Sequence, residues 1–534
     1  MRRALSGPVD ARAHLFQNRG VKFFLLLAMG LAACTKTRQP VEAQANQIQT
    51  TPEQKPEMPQ LPLFSPGPYG IQPMDVAGPF SLPVTGNKTW SLEDNWNGQD
   101  SYVFIFRNAR SSTAQALWNS SLNDLLTASP PNVHYFFLSY ESTAAQDAAA
   151  MQIRINDAPA AWRPRLHVVP KVASGLSGWF AEALAAGRKV AIAIDRFQRW
   201  RDVGNLTDMN GQTNWRALAR LPQQFNHEWQ REGHLLDDHV VTLAQNGGGM
   251  LEVELPSADD LAQYDALQID MSMTCDGHLD ANCPDWDMLT SLSICAVDNP
   301  ENCDSEIARW VTPYHREGRW VTEITPMLAQ LYPGGKRRFR FDLGQPYHVD
   351  LKLRFGQRGA ALVPKSALWL YSGGDFGPDY NKRYTPITFQ VPPGTARVTL
   401  YALVTGHGWG KDADNCAEFC NHTHHFTING QEFVKTNNDA GTASGCAARV
   451  EDGVVPNQWG SWPFGRSGWC PGMDVKPWEV DLTNVVHAGD NTITYKGLFG
   501  GNDYVPRPAA SADNNGFGAN INLRSYLVFW GAAR

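Results

Sequence analysis

Three short segments in the second half of the chain concentrate carboxylates, indoles and cysteines in Gly- and Pro-rich surroundings. They are Cys283-Pro-Asp-Trp-Asp287, then Trp409 followed by Cys416-Ala-Glu-Phe-Cys420, then Arg466-Ser-Gly-Trp-Cys-Pro-Gly-Met473. Carboxyl groups move protons, and indole rings stack on flat apolar faces such as those of sugars. A carbohydrate-facing site needs that mixture. The candidate acids are Asp287 and Glu418, the candidate rings Trp286, Trp409 and Trp469, and the candidate charged donor Arg466. Taken singly, each segment also has a structural reading, with indoles in a sandwich core and loop acids solvated.

Taken in this order, the segments resemble the peptide N-glycosidase F family, whose members remove whole N-linked glycans from glycoproteins. The resemblance runs over residues 240–534 and includes Trp310-Val-Thr-Pro-Tyr314, Gly408-Trp-Gly410, Thr423-His424, Ile428-Asn429 and Gly468-Trp-Cys-Pro-Gly-Met473. It implies two jelly-roll sandwiches with the site in the cleft between them, and substrates that are N-glycosylated proteins or glycopeptides. It also implies that Asp287 is the principal catalytic acid, Glu418 a second, and Asp342 a third, with Trp286, Trp409, Arg466 and Trp469 binding substrate. Two departures stand out: Met288 replaces the basic residue that follows the family's catalytic aspartate, and Gly344 replaces a glycan-stacking Trp. The expected reaction is hydrolysis of the Asn side-chain amide, giving Asp and a glycosylamine. That reaction needs an activated water, a polarised carbonyl and protonation of the leaving amine, all within reach of two carboxyls and an arginine. No covalent nucleophile is required, so the missing Gly-x-Ser-x-Gly elbow carries no penalty. No cofactor is expected. A true glycosidase, cutting between sugars with a carboxylate pair, and a glycan-binding protein without turnover are the neighbouring readings.

Asn421-His-Thr-His-His425 points elsewhere. On a strand His422 and His424 share a face and can ligate one metal, with Met473 as a soft third ligand. The motif resembles the copper site of peptidylglycine monooxygenases, which also have two sandwiches. No second His pair stands in the first sandwich for that family's other copper. A face of hydrogen-bonded imidazoles is the structural reading.

Nine cysteines are present, eight of them after residue 270. Cys275, Cys283, Cys295, Cys303, Cys416, Cys420, Cys446 and Cys470 form an even set suited to an oxidising compartment. Pairing neighbours in sequence joins 275 to 283, 295 to 303, 416 to 420 and 446 to 470, although composition leaves the connectivity open. A metal knuckle at Cys416 and Cys420 lacks a second knuckle.

The elements that must carry these groups fall into two styles. Tyr102–Phe106 is a continuous apolar run, and Ser112-Thr113 opens a predicted helix through Leu117, Leu122 and Leu125. Strands at 133–139, 166–169 and 190–194 alternate with helices at 144–155 and 179–186, predicting an α/β domain over residues 75–236. It resembles a thioredoxin-like fold, but Arg107-Asn-Ala-Arg-Ser-Ser112 contains no Cys-x-x-Cys, so dithiol exchange is absent. Beyond residue 237 short period-two runs separated by Gly, Pro, Asn and Asp predict antiparallel β-sandwiches, one over 237–357 and one over 358–534, with a seam near 356–362.

Arg2, Arg3, Arg12, Arg19 and Lys22 precede the apolar run Phe23–Ala33, which reads as an export signal over 1–34. Leu31-Ala-Ala-Cys34 resembles the bacterial lipoprotein box, with Cys34 the lipidated residue. Residues 35–74, rich in Gln, Pro and Thr, read as a flexible tether. The expected location is the cell envelope through a lipid anchor, or secretion. A formal charge of −7 from 46 basic and 53 acidic residues argues against nucleic acid as a partner.

Overall fold

The strand Ser101–Arg107 is apolar at consecutive positions because both of its faces are covered. It lies at the centre of a five-stranded sheet, parallel to Val133–Ser139, which in turn is parallel to Leu166–Val172. On its other side Ala191–Ile194 and then Trp200–Arg201 run antiparallel. The computed structural model describes residues 61–207, 212–213, 215–509 and 516–533. The predicted signal, Cys34 and most of the tether lie outside the described residues.

The predicted single helix after the first strand is two. Ser111 caps Ser112–Asn119 through its hydroxyl, and Ser121 caps Leu122–Ala128 in the same way. Ser120, extended between them, ends the first helix, and the second serine restarts the turn by accepting the Asp124 amide. The long helix Trp215–Glu232 then buries Leu218, Leu221 and Phe225 against the sheet, with Trp229 buried near its end.

The rest of the described chain is mostly β. One group pairs a four-stranded sheet, ordered Gly318–Glu323, Ala266–Thr274, His348–Gly356, His239–Gln245, with a five-stranded sheet. The second group contains Leu362–Asp375, Phe517–Ala532, Arg397–Trp409 and Trp478–Asp481 in one sheet, and Ile387–Gln390, Asp490–Phe499, His422–Ile428 and Gln431–Lys435 in the other. All these pairings are antiparallel. His422–Ile428 alternates buried and half-buried residues, as a strand with one face in the core must.

The two groups are not separated where the chain crosses between Gly356 and Leu362. Met473–Asp474 returns to pair with Trp310–Val311 in the five-stranded sheet of the first group. Tyr401, Leu403, Tyr526 and Trp530 of the second group pack in one apolar cluster with Leu292 and Trp310 of the first. Their phenols are satisfied across the junction, Tyr401 donating to the Ile307 carbonyl (2.9 Å) and Tyr526 to that of Glu306 (3.0 Å). The buried Arg309 guanidinium adds donors to Thr405 Oγ1 (2.8 Å) and the Asn522 carbonyl (2.7 Å). A shared core of this kind holds the two groups in one orientation. A site built from both keeps its geometry as a result.

Candidate active site

Asp287 stands in the loop between Cys283 and the strand Leu289–Ile294, a stretch without regular backbone pairing of its own. Buried Thr312 replaces that pairing. Its hydroxyl donates to the Trp286 carbonyl (2.6 Å) and accepts from the Met288 amide (2.8 Å), while its own amide donates to the Met288 carbonyl (3.0 Å). One side chain therefore grips the residues on either side of Asp287. The Cys275–Cys283 disulfide closes the loop from the other end, and the His315 amide donates to the Pro284 carbonyl (2.9 Å).

Glu418 comes from the second group, on the short helix Cys416–Phe419 that the Cys416–Cys420 disulfide brackets. The Gly408 amide donates to its carboxylate (3.3 Å), and the Ser467 amide to its backbone carbonyl (2.8 Å). This helix presses against the strand Arg397–Trp409 so closely that a Cβ at Gly406 would stand 1.9 Å from the Ala417 carbonyl oxygen. Only glycine permits that approach.

Arg466 lies between the two acids. Its guanidinium is 1% exposed, with Nε 3.3 Å from Glu418 and Nη2 3.5 Å from Asp287. Its remaining donors are held by the Ser461 carbonyl (3.0 Å), the Phe464 carbonyl (2.8 Å) and Ser461 Oγ (2.7 Å). The rings of Phe419 and Trp469 flank it at 4.9 and 5.1 Å. It is an immobile cation facing two carboxyl groups.

One cation cannot fully compensate two buried anions. Burial pushes the Glu418 carboxyl up to about 7 from its ordinary 4.5, with Arg466 opposing the shift and the neighbouring Asp287 adding to it. Burial raises Asp287 as well, against the pull of Arg466 and a hydrogen bond from Tyr314. The pair therefore retains a proton near neutrality, so one carboxyl can donate while the other accepts.

The remaining expected site residues divide. Trp286 and Trp409 are 62% and 46% exposed and present their rings to solvent. Trp469, expected to contact substrate, is 3% exposed. It stacks on His407 and donates Nε1 to the Gly406 carbonyl (2.8 Å), acting as a floor under Arg466. Asp342, expected as a third acid, sits at the end of the strand Gly335–Asp342, is 57% exposed and pairs with Arg340 (2.9 Å). It faces a separate open groove of about 800 Å³ that also touches Gly248, Leu289 and Gly344. Met288 and Gly344 meet at this groove: a Cβ on Gly344 would stand 2.7 Å from Met288 Cβ and 2.3 Å from the Leu289 carbonyl oxygen.

His422 and His424 are fully buried. His422 Nε2 donates to the Ala417 carbonyl (2.9 Å), so its Nδ1 accepts from His424 Nε2 (2.9 Å), and His424 Nδ1 accepts from Tyr495 (2.8 Å). Burial lowers both imidazoles, His422 to about 4, keeping them neutral. Every ring nitrogen is thus engaged. Met473 packs elsewhere, with Tyr314 and the Cys446–Cys470 disulfide, so the three expected copper ligands are not assembled. Cys275, Cys283 and Glu317 converge, but the cysteines are a disulfide and offer no thiolate. Cys295–Cys303 is the fourth bridge and stands at the far end of the strand that follows Asp287.

Sequence reasoning passed over Tyr314, Thr312 and Ser461. Thr312 and Tyr314 lie in the Trp310-Val-Thr-Pro-Tyr314 run, where a buried hydroxyl on each side of a proline was the available signal.

The two antiparallel β groups hold an acid–guanidinium–acid arrangement between them, and the sequence relationships fall in the same half of the chain. Residues 379–528 match the family described as Peptide-N-glycosidase F, C terminal. The Peptide-N(4)-(N-acetyl-beta-D-glucosaminyl)asparagine amidase F of Elizabethkingia miricola is 27% identical over 241 residues, 41% of this chain and 63% of that relative's length. A crystal structure of peptide-N(4)-(N-acetyl-beta-D-glucosaminyl) asparagine amidase aligns at 19% identity and TM-score 0.42, over 55% of this chain and 96% of the other. A structure of PNGF-II aligns at 15% identity and TM-score 0.40, over 57% of this chain and 66% of the other.

Proposed function

We propose that this chain is a deglycosylating amidase that hydrolyses the Asn side-chain amide to the first sugar of N-linked glycans, releasing a glycosylamine and leaving Asp. The contact of both Asp287 and Glu418 with the buried Arg466 supports this reading most directly. Glu418, with its carboxyl raised to about 7, supplies the proton to the departing amine. Asp287, oriented by Tyr314 and Arg466, positions and deprotonates the attacking water. The Arg466 charge offsets negative charge as the tetrahedral centre forms. Trp286 and Trp409 provide exposed faces for sugar rings. Asp342 has no proton-transfer role and belongs to the substrate-facing rim.

The test is mass spectrometry of an N-glycopeptide treated with the purified chain. Conversion of the asparagine to aspartate with release of the intact glycan is expected. An unchanged glycopeptide refutes turnover, and a peptide retaining one sugar makes the chain a glycosidase. Asp287→Asn abolishes release while leaving the circular dichroism spectrum intact.

The same reading extends to the rest of the chain. Residues 237–357 and 358–534 are the two jelly-roll domains, and residues 75–236 are a thioredoxin-like module without redox chemistry. Export and lipidation at Cys34 anchor the enzyme at the cell envelope. Incorporation of labelled palmitate, lost in Cys34→Ser, checks the anchor.

A further inference from the structure

A second cavity, of about 360 Å³, is lined in part by Trp469 and by neither acid of the carboxyl pair. Two of its lining side chains are buried polar groups with an unmatched atom. Asn437 is 6% exposed and its Nδ2 donor has no partner, while Asp474 is 2% exposed and its Oδ1 acceptor has none. The other Asp474 oxygen is fully occupied, by Thr322 Oγ1 (2.9 Å) and Lys476 Nζ (2.7 Å). Lys435 and Arg449 also line the cavity, opposed by Asp439. Among the described residues Lys435 forms no ion pair, and burial together with Arg449 lowers its amine. A buried unmatched donor and acceptor each cost free energy that a ligand can recover. The ligand that does so has a hydroxyl for Asp474, an acceptor for Asn437 and a negative charge for Lys435 and Arg449. A neighbouring cavity of about 230 Å³ shares Asp474 and Lys476 and is walled by His227 and Gln230 of the long helix and by His234 just past its end.

The geometry points to this cavity as a binding site for a carboxylate-bearing sugar, with its anion on Lys435 and Arg449 and its hydroxyls on Asn437 and Asp474. It goes beyond the amidase reading and does not require turnover. The site is separate from the acid pair, so it recognises a distal acidic branch of a glycan instead of the bond that is cut.

Calorimetric titration of the full chain tests it, with N-acetylneuraminic acid as the acidic sugar, N-acetylmannosamine as the neutral sugar and inorganic phosphate as the anion without a ring. The acidic sugar binds at least tenfold more tightly than either control, and Lys435→Met and Arg449→Gln each weaken it at least fivefold. Equal binding of the neutral sugar, equal binding of phosphate, or unchanged affinity in both variants overturns the proposal. If a variant melts early, the three-ligand comparison on the unmodified chain decides alone. A chain that binds the acidic sugar but leaves glycopeptides intact refutes the amidase reading and leaves this site standing.

Discussion

Asn457 donates its side-chain amide to the Ala217 carbonyl (2.8 Å) in the first turn of the long helix, and also to the Val203 carbonyl (2.9 Å). Its own carbonyl accepts the Asn205 amide (2.7 Å). The loop so held runs on to Ser461, which fastens Arg466, and Arg220 of the same helix lies over the Trp462 ring at 5.2 Å. The α/β region therefore buttresses the residue that organises both carboxyl groups.

Asn457→Ala removes the side-chain donor that the buried Val203 and Ala217 carbonyls share. It lowers unfolding free energy by about 1–3 kcal/mol, read as a fall in denaturant midpoint at constant slope. Release of glycan falls with it, because the Ser461 loop loses its anchor. Full activity at unchanged stability refutes the buttress.

Glu418→Gln gives a stability difference that depends on pH. The folded carboxyl titrates near 7 and the unfolded one near 4.5, so between these values the unfolded chain releases a proton that the folded chain keeps. Unmodified protein accordingly loses stability as pH rises through that window, and glutamine does not. The variant's relative gain grows from pH 4 to pH 8 by roughly 3 kcal/mol, at about 1.4 kcal/mol per pKa unit. Denaturant curves at several pH values check the slope, and a flat difference shows that Glu418 is not raised.

Arg466→Met strands two buried carboxyls without their cation. Removing one partner of a buried ionic group costs about 3–5 kcal/mol, and the loss is largest above pH 7, where both acids would ionise. Thermal melts at pH 5 and pH 8 separate this from a simple packing defect, which would be equal at both.

Thr312→Val keeps the shape of the side chain and removes the hydroxyl that ties Trp286 to Met288. With Asp287 free to drift, kcat falls by about tenfold to a hundredfold while KM changes little. Thr312→Ser restores it. A matching loss in the serine variant would assign the effect to the methyl group.

Gly344→Ala tests the groove beside Asp342. A Cβ 2.3 Å from the Leu289 carbonyl oxygen meets backbone that cannot rotate away, so the variant loses about 1–3 kcal/mol. An unaltered melting temperature would show that the groove wall yields.

Local patterns were legible in the chain. Consecutive apolar residues in Tyr102–Phe106 marked a strand covered on both faces, and alternation marked the strands after residue 237. The serine pair Ser120-Ser121 was harder to read, because the residue that ends one helix and the residue that caps the next are adjacent and fall within a single helical spacing. Trp469 and Trp409 have the same residue type and a similar Gly-rich setting. One is a floor and the other a rim, a difference that depends on neighbours remote in sequence.

By itself the sequence determined the acids, the arginine, the cysteines and the periodicities, because these are properties of residue type and short spacing. Only the tertiary structure brings Arg466 against both Asp287 and Glu418 and sets Asp342 and the imidazoles of His422 and His424 apart from them. That outcome depends on how tightly two sheets pack and on how much water each group loses. Desolvation by distant chain raised the two carboxyls, and a closed chain of hydrogen bonds used up the imidazole lone pairs.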